Sequence, residues 1–243
     1  IVTVEDPVEF QMRGVVQIQA HADIGYDFAR ALRSILRHDP DVIMIGEIRD
    51  GETAAIAVQS ALTGHMVLST LHTNDAAGAF NRLLDMGLEP FLVASSVRAV
   101  VAQRLVRKLC DCAQAAPLPT AYAPLVAALQ AGHAAVLTGE ARWRVPVGCP
   151  RCRGTGYKGR LGIYELITAT EGLQQAIMQR APASDMVRLA RAQGSRSLRE
   201  DGLLKAWRGD TSIEEVLRVA GMDGVASSTE IDSSDAGAMM TTL

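Results

Sequence analysis

The residues best suited to chemistry stand at the ends of short apolar runs. The stretch Asp39-Pro40-Asp41-Val42-Ile43-Met44-Ile45-Gly46-Glu47-Ile48-Arg49-Asp50 has an apolar centre, Val42 to Ile45, with acidic residues on both sides. A partly β-branched run of this length, set between turn signals, reads as a buried strand of a parallel sheet. Glu47, Arg49 and Asp50, just past its C-terminal end, then stand where open α/β sheets keep their ligand crevice. The segment has the shape of a Walker B strand, which sets a carboxylate beside Mg²⁺ and an attacking water. Taken alone, it reads equally well as a core strand with charged ends. Val2 and Val4 lead in the same way into Glu5-Asp6-Pro7-Val8-Glu9, which also fits a polar strand end followed by a proline turn. His65 and His72 bracket another apolar run, Met66 to Leu71. Each is a candidate to sense a bound phosphate or to hold a carboxylate, and each also fits a satisfied polar histidine.

Three further groups of residues have chemical potential. Arg30, Arg33 and Arg37 recur three and four apart and so form one stripe on a helix. Such a stripe is either a solvated face or an anion-binding surface, because guanidinium grips phosphate in a bidentate manner. Cys110, Cys112, Cys149 and Cys152 form a C-x-C and a C-x-x-C pair. Two close pairs can fold back into one tetrahedral Cys₄ site of the kind structural zinc requires; the alternative is four free buried thiols. Gly154-Thr155-Gly156-Tyr157-Lys158-Gly159 fits a phosphate-loop pattern only superficially. Arg160 and Leu161 replace the Lys and hydroxyl of a true loop, and neither a preceding strand nor a following helix is expected. A turn beside the cysteines is the expected role.

Positioning these groups calls for an alternation of strands and helices. Asp27 starts a helix to about His38, with Phe28, Leu32, Ile35 and Leu36 on its apolar face. Gly51 to Leu62 is an Ala-rich helix closed by Gly64, and Thr73-Asn74-Asp75 caps another from about Ala76 to Met86. This rhythm means a parallel α/β sheet. Gln11 to Ala20 is expected as a hairpin. Pro90 opens a longer helix to about Leu109, whose last turn carries Arg104, Arg107 and Lys108, where cations suit the dipole. A helix is expected around Tyr122 to Ala131 and a short strand over Leu161 to Ile167. From Glu171 the chain is helical, with starts at Ser184-Asp185, Ser197 and a capping box, Ser212-x-x-Glu215. The tail from about Gly221 has a disordered composition.

The 243 residues are 48% hydrophobic and 21% charged, ordinary for a globular protein with one large core or two modest ones. A formal net charge of -3 gives no global pull toward nucleic acid or membrane. No apolar run approaches a membrane span, and no signal peptide is recognisable. The chain opens on Ile1-Val2-Thr3-Val4, which reads as the inside of a strand, so a missing N-terminal part is expected.

Several of these stretches resemble one family. Thr3-Val4-Glu5-Asp6-Pro7-Val8-Glu9 resembles the Asp box of the secretion and pilus-assembly ATPases. Asp39 to Asp50 resembles their Walker B segment, and Thr63-Gly64-His65 through Leu71-His72-Thr73-Asn74-Asp75 their His box. Phe28-Ala29-Arg30-Ala31-Leu32-Arg33, Ala102-Gln103-Arg104-Leu105 and Thr155 to Leu166 also look like family sequence. The resemblance covers roughly residues 1 to 220. It implies a partial RecA-like P-loop NTPase core over 1–109, a zinc-binding cysteine-rich excursion over 110–165 and a C-terminal helical subdomain over 166–221. A disordered tail is expected over 222–243.

The resemblance also implies an ATP hydrolase that works as a homo-hexamer with Mg²⁺ and ATP, and with Zn²⁺ as a structural ion. Its place is cytoplasmic, peripheral on the inner membrane of a Gram-negative-type bacterium. Its partners are the cytoplasmic domains of inner-membrane secretion or pilus platform proteins, with no nucleic acid. Glu47, Glu5, Asp6, His65, His72 and Arg49 are carried over as catalytic residues. Arg33, Arg37 and Arg82 are carried over as phosphate or subunit contacts, and the four cysteines as metal ligands. Ser197 to Gly202 and Thr211 to Leu217 look most like the type II secretion branch, with type IV pilus assembly as the alternative. The cysteines disfavour a pilus-retraction motor. The sequence departs from the family pattern in having no Walker A loop and in carrying C-x-C where the first pair is usually C-x-x-C. The missing loop predicts that the chain alone is inactive and leaves a non-catalytic interaction module as the reading of another class.

Overall fold

The computed structural model describes residues 1–137, 139–221 and 240–242. The chain begins with β1 (Val2–Glu5), β2 (Val16–Gln19), α1 (Phe28–Ile35), β3 (Val42–Ile45), α2 (Gly51–Leu62), β4 (Met66–Ser69), α3 (Ala76–Asp85) and α4 (Pro90–Ser96). It continues through β5 (Ala99–Leu109), β6 (Gln114–Ala115), α5 (Ala123–His133), β7 (Arg144–Val145) and β8 (Tyr157–Thr168). Four helices follow: α6 (Glu171–Met178), α7 (Ala183–Ala192), α8 (Leu198–Trp207) and α9 (Ile213–Ala220). These elements divide into two compact units, residues 1–102 with 166–195, and residues 103–165 with 196–221.

The first unit is organised around a parallel sheet in the order β2-β1-β3-β4. Val4 pairs with Ile45 and Ile45 with Ser69, so the C-terminal ends of β1, β3 and β4 lie side by side. Parallel pairing needs a crossover between strands; α1 supplies it before β3 and α2 before β4. Val4, Ile43 and Ile45 of the sheet are fully buried, as are Leu32 and Ile35 of α1. The helix starts are set locally: Asp27, Asp50 and Asp75 each accept the backbone N–H three residues on, the expected geometry of an acidic N-cap.

The expected hairpin over Gln11 to Ala20 does not form. Only Val16–Gln19 is a strand, and it runs parallel to β1. Its flanking amides are spent on β1 as well: Val16 donates to the Ile1 carbonyl (3.1 Å) and Ala20 to that of Glu5 (2.8 Å). The helix expected from Pro90 to Leu109 ends at Ser96. Val97 turns extended (φ -71°, ψ 123°), and β5 buries Val100, Ala102 and Val106 on one face. The β-branched residues Val97, Val100, Val101 and Val106 favour the pleated conformation, and Arg104, Arg107 and Lys108 therefore lie on a strand.

The second unit has its own apolar core, formed by Val126 and Leu129 of α5, Leu203, Leu204 and Trp207 of α8, and Ile213, Val216 and Leu217 of α9. Trp143 meets Trp207 edge-to-face, with 5.5 Å between ring centroids. The expected 166–221 subdomain is divided by this packing, because α6 and α7 belong to the first unit and α8 and α9 to the second. The first unit begins to give way to the second within β5, after Ala102, rather than at 109. The expected disordered tail lies outside the described residues apart from 240–242.

Candidate functional site

Glu47 follows β3 at the sheet's C-terminal edge, and its backbone is held from both sides. The Gly46 amide donates to the Val4 carbonyl of β1 (2.8 Å), and the Ile48 amide donates to the Thr70 carbonyl at the end of β4 (2.9 Å). The Thr70 hydroxyl donates to the Gly46 carbonyl (2.6 Å). A Cβ on Gly46 would approach the Val4 carbonyl oxygen to 3.3 Å, a tight contact that a larger residue could meet only if β1 gave way slightly. Ile48 is buried, and the extended backbone sends Glu47 and Arg49 to the opposite side.

The carboxylate of Glu47 has two hydrogen-bonding neighbours, Arg49 and His72. Arg49 Nη2 donates to Oε1 (2.5 Å), and His72 Nε2 lies 2.9 Å from Oε2. Arg49 Nη1 also stands 3.7 Å from Asp6 Oδ2 of the turn after β1. The hydrogen bond from Arg49, joined by that from His72 and only partly opposed by burial, holds the Glu47 carboxyl below the usual carboxylate range. Glu47 keeps 17% of its side-chain surface exposed, against 58% for Arg49 and 63% for His72. The arrangement is an open rim in which one carboxylate is charged, oriented and reachable from water. It can orient a water molecule, accept its proton, or face a divalent cation together with Asp6.

The other expected residues divide between this rim and other places. Glu5 lies one residue before Asp6 and accepts from the Thr3 hydroxyl (2.5 Å) and Gln17 Nε2 (2.9 Å), both on Oε1. His65 is at the opposite end of β4, with Nδ1 3.0 Å from the Ser60 carbonyl. There it lines a mostly apolar cleft of about 360 Å³ with Ala57, Val58 and Val97, and the fold does not bring it to Glu47. Arg33 pairs with Glu52 across α1 and α2. Arg37 and Arg82 are exposed.

In the second unit the four cysteines converge. Their sulfurs all lie within 4.8 Å of one another, with Cys110–Cys149 and Cys112–Cys152 at 3.9 Å and Cys149–Cys152 at 3.8 Å. Four sulfurs placed tetrahedrally at a zinc–sulfur distance of ~2.3 Å stand about 3.8 Å apart, so the donor set fits that ion in number, kind and spacing. The C-x-C pair therefore does not prevent closure. Two tight glycine contacts shape the loops: a Cβ on Gly148 would lie 2.5 Å from the Gly154 carbonyl oxygen, and one on Gly156 would strike Pro146. Gly154 to Gly156 thus lies in a turn packed beside the cysteines, and the expected turn ends there: Tyr157, Lys158 and Gly159 already belong to β8, which starts four residues before the expected Leu161. Burial pushes the Cys112 thiol up to about 11. Cys152 feels burial too, but the amides of Cys149 and Gly156 donate to its sulfur and hold it at about 6.

A second polar centre in this unit was not foreseen. The side chain of Glu215 is fully buried and accepts from the Arg107 amide (2.9 Å), Arg107 Nη2 (2.7 Å), Arg218 Nε (2.9 Å) and Arg218 Nη2 (2.8 Å). Burial opposes its charge, but the hydrogen bonds from Arg218 and Arg107 prevail and hold the carboxyl at about 2. The Arg107 guanidinium lies 4.1 Å from the centroid of the Tyr157 ring. Ser212 caps α9 through the Glu215 amide (3.2 Å). The expected reciprocal box is absent because the Glu215 carboxylate is taken by the two arginines. The reciprocal box occurs instead at Ser197 and Glu200.

Two solved ATPase structures of the P-loop NTPase fold share this α/β architecture with its parallel sheet. The pilus retraction motor PilT with bound ADP superposes with a TM-score of 0.60 at 23% identity, covering 89% of this chain and 51% of that one. The DotB ATPase of Legionella pneumophila gives 0.58 at 22%, covering 88% and 49%. The chain belongs to the family described as Type II/IV secretion system protein, whose model matches residues 1–218. The type II secretion system protein HxcR of Pseudomonas aeruginosa is 51% identical over 219 residues, 90% of this chain and 42% of HxcR. The type IV pilus assembly ATPase PilB of Myxococcus xanthus is 49% identical over 217 residues, 89% of this chain and 38% of PilB. The chain spans less than half the length of these relatives. Among the described residues, no helix is long and apolar enough to cross a membrane.

Proposed function

We propose that this chain is the part of a type II secretion ATPase that handles the attacking water and Mg²⁺, in a motor that drives pseudopilus assembly. The observation that carries the reading is Glu47, oriented by Arg49 and His72 at the C-terminal edge of a parallel sheet. Glu47 orients the water and takes its proton, and Glu5 and Asp6 complete the carboxylate shell that faces Mg²⁺. When bound, Mg²⁺ neutralises charge on the β- and γ-phosphates. Arg49 and His72 keep Glu47 ionised and aimed. His65, at the far end of β4, belongs with Arg33, Arg37 and Arg82 in contacts that couple phosphate state to neighbouring subunits of a homo-hexamer. Cys110, Cys112, Cys149 and Cys152 hold a structural zinc ion that pins their loops. The motor works at the cytoplasmic face of the inner membrane, on the cytoplasmic domains of platform proteins.

The 243 residues contain no G-x-x-x-x-G-K-[ST] loop. Turnover therefore requires a phosphate loop from outside this sequence, and the chain alone is inactive. The similar identities of HxcR and PilB keep pilus assembly as a second reading. The test is Glu47→Gln in the complete gene product. ATP binding is expected to persist and hydrolysis to fall at least about 10²-fold, the scale of losing a general base. Unchanged turnover would sink the role of Glu47, whereas a complete gene product without a phosphate loop would favour a non-catalytic interaction module.

A further inference from the structure

Thr70 joins the two strands that carry the site. Its hydroxyl donates to the Gly46 carbonyl (2.6 Å), and its own carbonyl accepts the Ile48 amide (2.9 Å). The two bonds therefore grip the peptide groups on either side of Glu47. The remaining support on that turn comes from the Val4 carbonyl of β1, which holds the Gly46 amide. Two residues after Thr70 the same segment delivers His72 to the Glu47 carboxylate (2.9 Å). A single stretch, Thr70 to His72, thus fixes both the backbone and the side chain of Glu47.

We infer that Thr70 is a positioning residue for hydrolysis, whose hydroxyl fixes the angle at which Glu47 meets the attacking water. This rests on the role proposed for Glu47. Without the hydroxyl the Gly46 carbonyl loses its partner, while the Ile48 amide still holds the other side. The turn can then pivot on that one remaining bond to β4. The protein still folds and still binds nucleotide, because no contact to phosphate is lost. What changes is the placement of a carboxylate that acts only in the transition state. Such a change lowers kcat and leaves KM where it was.

Thr70→Val removes the hydroxyl and preserves shape and β-branching; Thr70→Ser restores the donor without the methyl group. Both are compared with Glu47→Gln in the complete gene product, by steady-state ATP hydrolysis, nucleotide affinity and thermal melting. The expected result is a loss of about tenfold in kcat for Thr70→Val, the scale of one neutral hydrogen bond. KM and nucleotide affinity are unchanged, the melting temperature falls by no more than about 2–4 °C, and Thr70→Ser recovers to within about twofold. A Thr70→Val enzyme within twofold of the parent, beside an inactive Glu47→Gln, would overturn the role of Thr70 and leave that of Glu47 standing. If Glu47→Gln also turns over normally, the reading of the whole rim fails. If Thr70→Val is too unstable to assay, Thr70→Ala takes its place. Loss of activity that tracks loss of melting temperature across the variants overturns the positioning role in favour of a purely structural one.

Discussion

The rim around Glu47 and the network around Glu215 use the same pair of groups, a carboxylate and an arginine three residues or fewer away in sequence, to opposite ends. At Glu47 the partners Arg49 and His72 are more than half exposed. At Glu215 the carboxylate has no exposed surface and is bonded by two arginines and a backbone amide. Exposed ion pairs contribute only ~0–1 kcal/mol, so the first arrangement can be rebuilt around a ligand at little cost. A buried carboxylate that loses its partners is strongly destabilising, so the second arrangement is fixed. The difference separates a group poised for chemistry from one that holds a fold together, although both carboxyls are pushed below their ordinary range.

Four measurements test that contrast. The largest effect is expected from metal removal. Elemental analysis should find about one zinc per chain, and chelation should abolish the cooperative unfolding of the cysteine-containing unit. The two tryptophans of the sequence, Trp143 and Trp207, both lie in that unit, so selectively excited tryptophan fluorescence follows it alone. Much less than one zinc per chain would reject the metal assignment.

Next in size is Glu215→Gln, expected to destabilise that unit by about 3 kcal/mol, the low end for breaking a buried pair, because both guanidiniums reach water. The pH dependence has a definite sign. The folded-state carboxyl sits at about 2 against an ordinary 4.5. Its stabilisation is therefore complete above pH 4.5 and disappears as pH falls from there toward 2. Denaturant melts of the parent should show this acid loss, and those of Glu215→Gln should show less of it.

A smaller effect is expected for His72→Ala, which removes one of two groups that orient Glu47. Hydrolysis by the complete gene product should fall about tenfold, equivalent to ~1.4 kcal/mol, without loss of melting temperature. The smallest effect should come from Arg33→Ala. Its partner Glu52 is exposed, and removing a surface pair should shift stability by less than about 0.5 kcal/mol in a thermal melt. A loss comparable to that of Glu215→Gln would erase the distinction between the two kinds of pair.

Much of the first unit could be read directly because its signals are local. Val42 to Ile45 is bounded by acidic residues, Asp27, Asp50 and Asp75 cap their own helices, and α2 runs over the residues expected of it. The rim was readable for the same reason, since Glu47, Asp6 and His72 each follow the end of an apolar run. The bracketing of one strand by His65 and His72 already implied that only one of them reaches the C-terminal edge. The misreadings came where distant contacts decide. Gln103, Arg104, Leu105 and Lys108 are good helix formers, and only the alternate burial of Val100, Ala102 and Val106 makes that segment a strand. Glu215 stands at a capping-box position, but Arg107 lies too far along the chain for local pattern to link them. Thr70 was visible near a strand end, whereas its bond to Gly46 depends on the parallel register of β3 and β4.

The glycine contacts in the cysteine loops have a consequence for ion choice. Gly148 sits against the Gly154 carbonyl and Gly156 against Pro146, with both glycines at positive φ (105° and 76°). Any side chain there would force the loops apart. The spacing of the four sulfurs is therefore tied to backbone packing between the loops. If the sulfurs hold the proposed zinc ion, a larger soft cation would press against these backbones, and the loops would then select among thiophilic metals by radius as well as by ligand type.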